Sequence, residues 1–318
     1  PKATCVGGSP VEYCRGGSPA VDGYYSDQSH PSVGRALLII GFSPEQGRRI
    51  ESDLQGCLPM ESLRDAVSTD RAAGLRPLCV IANAGTTSTG AVDPLEELAE
   101  FCQTEKLWLH ADGAYGAAAI ICARGRKELR GLERVDSLSL DPHKWLFQPF
   151  ECGCVLVRDR QLLRSAFRVT ADYLRDVHRE STEVNLGDYG IQLTRAFRAL
   201  KLWLSIKTFG MAAFREAFAR GFELAELAER ELRGKAGWEI LSPAQMGIVC
   251  FRFGKDDELP GRIVEAMLRE GYAFLTSTKI KLAVCLRFCT INPRTTDQDM
   301  IESVGRLDEC ARKCSQAA

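Results

Sequence analysis

From residue 36 onward the apolar positions fall into short runs and helical stripes that alternate along the chain. Residues 36–40 form a compact apolar run of strand length. Residues 60–69 carry Leu63 and Val67 at helical spacing. Residues 78–82 are apolar throughout and end in the loop AGTTSTG, which predicts a buried strand. Asp93-Pro94-Leu95-Glu96 then opens a helix, with Asp93 as N-cap, Pro94 at the first helical position and Glu96 closing a capping box. Leu95, Leu98, Ala99 and Cys102 are its buried stripe. Residues 107–111 read as the next strand, so 78–111 is one βαβ unit. Further short strands are predicted at 137–140 and 155–157.

The second half has a different rhythm. Residues 193–209 and 211–232 read as long helices joined at Gly210. Residues 248–253 alternate as a strand does, residues 262–270 form a helix, 282–290 a strand and 296–311 a terminal helix. The pattern predicts an α/β large domain over residues 1–208 and a smaller α+β domain over 209–318. Two GGSP segments, at residues 7–10 and 16–19, lie in a stretch without periodicity. They suit a flexible lead-in better than a phosphate loop, because no helix start follows. Neither G-x-G-x-x-G nor a Walker A loop is present.

Composition narrows the class. The chain has 318 residues, 45% hydrophobic and 26% charged, with a formal net charge of -1. That balance is of an ordinary globular protein and gives no reason to expect a nucleic-acid or membrane-surface partner. No apolar run approaches a membrane span, and the first residues have no apolar signal core, so a cytoplasmic location is expected. Thirteen cysteines include no C-x-x-C pair. Cys152 and Cys154 around Gly153 read as part of a buried strand rather than a zinc knuckle, and Cys310 and Cys314 as one packed helix face. No metal ligand set is expected, and the compartment is read as reducing.

Three segments carry candidate chemistry: Ser26-Asp27-Gln28-Ser29-His30, His110-Ala-Asp112-Gly-Ala114, and Asp141-Pro-His143-Lys144-Trp145. Asp112 follows one apolar strand and Lys144 another. In doubly wound sheets the carboxyl ends of the strands form the ligand crevice, so the carboxylate and the amine are placed to face one ligand. Pyridoxal 5′-phosphate (PLP) needs that pair: an amine to bind its aldehyde, and a carboxylate to keep the pyridine nitrogen protonated. Taken singly, the lysine also fits a solvent-exposed position and the aspartate a helix cap or turn.

The segments YYSDQSHPSV, AGTTSTGAVDPL, WLHADGAYG, DSLSLDPHKWLF, FRALKLW and LRFCTINPRTT resemble the group II PLP-dependent amino-acid decarboxylases, and most of all the aromatic-L-amino-acid decarboxylases. The resemblance runs from about Tyr24 to Ala311. It implies a fold-type I PLP-dependent transferase-like large domain with a mainly parallel sheet, a smaller α+β C-terminal domain, and a homodimer. It implies Lys144 as the Schiff-base lysine, Asp112 on the pyridine nitrogen, His30 stacked on the ring and Ala114 beneath it. Thr86 and Thr87 fall beside the cofactor, His143 and Asp141 near its phosphate, and His110 behind Asp112. Tyr173, in RVTADYLRDVHREST, matches a loop tyrosine that protonates the substrate α-carbon. Arg195 and Arg198 match positions on a helix near the site, and also suit pairing with surface carboxylates.

The implied activity is decarboxylation of an L-amino acid, with an aromatic substrate favoured. The alternatives are glutamate, 2,4-diaminobutyrate or sulfinoalanine as substrate, an aldehyde-forming oxidative reaction, or an inactive PLP-fold protein. Three departures stand out. The family's glycine- and serine-rich phosphate loop and N-terminal helical segment have no match here, so the large domain is expected to be N-terminally incomplete. Asp141 stands where some relatives have asparagine. Gly113 replaces a more common alanine, read as a mild change.

Overall fold

The computed structural model describes residues 21–168 and 184–316. Six short strands, β1 (Val21–Ser26), β2 (Gly47–Ile50), β3 (Arg76–Asn83), β4 (Trp108–Asp112), β5 (Ser137–Leu140) and β6 (Cys154–Val157), form one sheet in the order β2-β1-β3-β4-β5-β6. The first five are parallel and β6 runs antiparallel to β5. Parallel neighbours need crossovers, and helices supply them. These are α1 (Pro31–Ile39), α2 (Met60–Ala72), α3 (Leu95–Glu105) and α4 (Ala123–Glu128), with α5 (Arg160–Phe167) following β6. The α3 stripe of Leu95, Leu98, Ala99 and Cys102 is buried as its spacing predicts, and so are Leu63 and Val67 of α2. With Tyr24, Val80, Leu109 and Ala111 of the sheet they belong to one core.

The second sheet is antiparallel, from β7 (Trp238–Gln245), β8 (Ile248–Phe253), β9 (Thr276–Ile280) and β10 (Ala283–Cys289) in the order β7-β8-β10-β9. Helices α6 (Ala199–Arg233), α7 (Leu259–Glu270) and α8 (Asp297–Gln316) share a core with it through Leu224, Leu232, Ile263, Val304 and Leu307. Helix α6 ties the two sheets together: Phe214, Phe218 and Phe222 pack in the first core, and Leu224 and Leu232 in the second. Gly210 interrupts α6 at φ 76°, ψ 157°, a conformation that favours glycine. No helix among the described residues is long and apolar enough to cross a membrane.

Several local expectations are corrected. Residues 36–40 are the end of α1 rather than a strand. Pro31 at the helix start and the His30 ring, which accepts from the Ser32 N–H, nucleate the helix upstream of the apolar run. Asp93 does not cap α3. It is buried, and its carboxylate takes the N–H groups of Leu58 (2.7 Å) and Asn83 (2.6 Å). Pro94 is the residue before the first helical turn, and Glu96 pairs with Arg130. Helix α6 begins at Ala199, not near residue 193. Cys152 is buried outside any strand, whereas Cys154 opens β6 and is exposed. Strand β1 was hidden in the sequence because Asp22 and Gly23 break its apolar pattern. Gly23 packs there against β3, where an added Cβ would lie 3.3 Å from Cys79 Sγ. The GGSP segments lie outside the described residues.

Candidate active site

Strand β4 sets the site because its side chains alternate. Leu109 and Ala111 point into the core, while Trp108, His110 and Asp112 share the other, half-buried face. Strand β5 lies in matched register, pairing His110 with Ser137 and Asp112 with Ser139. Asp112 Oδ1 accepts from the Ala114 N–H (3.1 Å) and the Ser139 hydroxyl (3.2 Å). Oδ2 takes no hydrogen bond from the described residues. Gly113, between Asp112 and Ala114, has no room for a side chain: an added Cβ would lie 2.3 Å from Ala117 Cβ and 2.7 Å from Leu138 Cδ1. Alanine here is therefore not the mild exchange expected.

Lys144 arrives from the turn that follows β5. The turn is closed by the Lys144 N–H on Asp141 O (2.9 Å) and the Gln148 N–H on Pro142 O (3.1 Å). Trp145 anchors it: fully buried, it stacks on Tyr115 at 5.2 Å and packs on Phe218 at 4.9 Å. Gly221 of α6 and Gly247 leave space for the indole, each with an added Cβ within 3.0–3.2 Å of it. The chain on one side of Trp145 is thus pinned, and Lys144 Nζ rests 2.9 Å from Asp141 Oδ2. An ammonium at that distance supplies a neutralising partner for the Asp141 carboxylate.

A cavity of about 450 Å³ opens where these strands end. His30, Thr86, Thr87, Asp112, Ala114, Asp141 and Lys144 line it, together with Asn83, His110, Tyr115 and Ser139. His30 caps α1 through Nδ1, 2.8 Å from Ser32 Oγ and 3.2 Å from Ser32 N. Thr86 bonds its own loop, its Oγ1 accepting from Ala91 N–H at 3.1 Å. The second sheet grips that loop: Arg287 donates to Thr87 O, and Cys250 Sγ to Ser88 O at 3.2 Å.

His143 is not in the lining. Its Nδ1 meets the Cys152 backbone, 2.8 Å from O and 3.1 Å from N, and its Nε2 is 3.8 Å from Asp141 Oδ2. Arg198 pairs with Glu151, Nε to Oε1 2.9 Å, and Arg195 is exposed. Tyr173 lies outside the described residues. Sequence reasoning missed Asn83, Ser139 and Arg287. The first two are polar residues at or near strand ends, the one signal that would have found them.

Burial acts on His110 in the lining and on Asp93 behind it. It lowers the pKa of His110, against the opposing pull of the Asp112 carboxylate. It raises that of Asp93 to about 6, against hydrogen bonds from Asn83 and Leu58 that favour the charged form. Asp93 Oδ2 also takes the Asn83 side-chain amide (3.0 Å), which reaches Ser26 Oγ at 3.1 Å.

The donor set fits a pyridine aldehyde. One cavity offers an amine, a carboxylate with an oxygen to spare, and a small residue, Ala114. Gly85, also in the lining, packs against Gly116, where an added Cβ would lie 2.9 Å from Gly116 Cα.

Residues 20–254 match the model of the pyridoxal-dependent decarboxylase conserved domain. The chain is 46% identical over 301 residues to an aromatic-L-amino-acid decarboxylase of Bacillus atrophaeus, covering 92% of this chain and 63% of that protein. It is 34% identical over 289 residues to a phenylacetaldehyde synthase of Petunia hybrida, covering 86% and 57%. The crystal structure of Oryza sativa TDC with PLP and tryptamine superposes with a TM-score of 0.86 at 30% identity, covering 92% of this chain and 63% of that one. The chain thus spans about six tenths of the length of these relatives.

Proposed function

The chain belongs to the pyridoxal-dependent decarboxylase family, and from that premise we propose that it removes the carboxyl group of an aromatic L-amino acid with PLP, giving the amine and CO2. The observation that carries this reading is the delivery of Lys144 and Asp112 from neighbouring strand ends into one cavity. PLP bound there supplies an aldehyde that condenses with amines and a pyridinium that takes up the electron pair of a bond broken at the α-carbon.

The chain's residues have the following parts. Lys144 would hold the cofactor through its aldehyde and give it up to a substrate amine. The free oxygen of Asp112 would accept the ring N–H, and its other oxygen is held by Ser139 and Ala114. With the cofactor bound, Ala114 and His30 would bound its two ring faces, and Thr86 and Thr87 would flank it. Asp141 balances the Lys144 charge, and His143 stands behind Asp141, outside the lining. Tyr173 brings a proton to the α-carbon. The functional unit is a homodimer, consistent with exposed apolar residues such as Phe150, Ile191, Leu193, Phe197 and Trp203. A cytoplasmic location accords with the reducing reading of the cysteines.

An amine-product screen over a panel of L-amino acids with added PLP tests the proposal. Amine from tryptophan, tyrosine or phenylalanine is the expected result. Amine only from acidic amino acids, or none, refutes it. The phenylacetaldehyde synthase relative makes an aldehyde-forming reaction the second reading. Aldehyde with hydrogen peroxide in the same screen would favour that one.

A further inference from the structure

Resting on the reading of Asp112 as the partner of a cationic ring N–H, we propose that Trp108, Ser137 and His110 form a hydrogen-bond relay that holds His110 neutral with its proton on Nε2. His110 is then a positioning residue that leaves the Asp112 charge to the bound ring.

The relay follows from counting donors. Trp108 Nε1 and His110 Nδ1 each lie 2.8 Å from Ser137 Oγ. An indole N–H only donates, so Ser137 Oγ accepts from Trp108. The hydroxyl has one proton of its own, and His110 Nδ1 is its only other partner among the described residues. Were Nδ1 to carry a proton, two donors would meet at Oγ and the hydroxyl proton would have no acceptor. Ser137 is buried, so an unused donor there is costly. All three groups are satisfied only when Ser137 donates to Nδ1. A neutral imidazole with Nδ1 as acceptor carries its proton on Nε2. Burial disfavours the doubly protonated form, in agreement.

The placement explains why neutrality matters. Trp108, His110 and Asp112 stand on one face of β4, so His110 is the nearest neighbour of Asp112 along that face. Around the same cavity the other ionisable groups are Asp141, Lys144, His30 and Tyr115, whose hydroxyl donates to Met246 O. An imidazolium at His110 would pair with Asp112 and repel a protonated ring. A neutral His110 does neither, and its Nε2–H, without a partner among the described residues, remains available at the cavity wall.

The test uses the whole chain labelled with ¹⁵N-histidine. It has four histidines, so each signal is assignable by single substitution. Without PLP, His110 should show a protonated Nε2 and a bare Nδ1 at pH 7, and should stay neutral below the ordinary histidine range. Ser137→Thr should keep this pattern. Ser137→Ala and Trp108→Phe should give mixed tautomers, and Ser137→Ala should bind PLP about tenfold more weakly by absorbance titration. A parent chain with Nδ1 protonated, or with a charged His110 at pH 7, overturns the proposal. So does an unchanged tautomer in both relay variants. Because the tautomer is read without PLP, a chain with the expected His110 that binds no PLP would overturn the proposed function and leave the relay standing.

Discussion

Gly113→Ala tests how tightly the Asp112 turn is packed. The added Cβ would lie 2.3 Å from Ala117 Cβ, 2.7 Å from Leu138 Cδ1 and 3.0 Å from Ser139 O. Carbon atoms pack at about 3.5–4.0 Å, so Ala117 must retreat by roughly 1 Å. Leu138 has a rotatable side chain, but Ser139 O is backbone and already accepts from the Gly113 N–H at 3.1 Å. Ala117 is tethered too, its N–H bonded to Gly113 O at 3.1 Å. Overpacking of this kind costs about 1–3 kcal/mol. A 2 kcal/mol loss lowers the melting temperature by about 4–8 °C on the scale of a 150–250-residue domain. The urea midpoint should fall with the slope unchanged. Because Gly113 sits between Asp112 and Ala114, PLP affinity should weaken even at temperatures where the variant is fully folded. A variant with the parent's midpoint and the parent's PLP affinity would refute the packing argument.

Three other outcomes are expected. Asp93, raised from 3.8 to about 6, binds its proton more tightly folded than unfolded. Its protonation therefore stabilises the fold fully below pH 3.8, and about 3 kcal/mol is lost as pH rises through 6. The stability advantage of the parent over Asp93→Asn should thus shrink between pH 4 and 6.5 in urea titrations, and a constant difference would refute the shift. Tyr173→Phe should lower amine output by roughly 10²-fold or more and raise aldehyde with hydrogen peroxide, whereas the parent's amine rate with no aldehyde would remove Tyr173 as proton donor. Light scattering of the active protein should give a dimer mass, and a soluble, active monomer would refute the homodimer.

What the sequence revealed, and what it hid, has a physical pattern. The strand ends were legible because an apolar run stops at a charge, as at Asp112, and because DPHKW places a lysine beside a tryptophan that the core must bury. Helix α1 was misread because five apolar residues fit a strand or the end of a helix equally well, and His30 as cap settles it only in three dimensions. Asp93 has the sequence of a helix cap, yet its carboxylate serves Leu58 and Asn83 from other elements. The Trp108–Ser137–His110 relay joins two strands, so no local spacing discloses it. His143 follows a motif match toward the cofactor, but its ring is engaged by the Cys152 backbone.

The most direct measurement of the central claim is covalent. PLP is added to the purified chain, the protein is reduced with borohydride, and the digested peptides are mapped by mass. The account predicts a pyridoxyl group on Lys144, lost in Lys144→Ala. A label on another lysine, or no label at all, would contradict it.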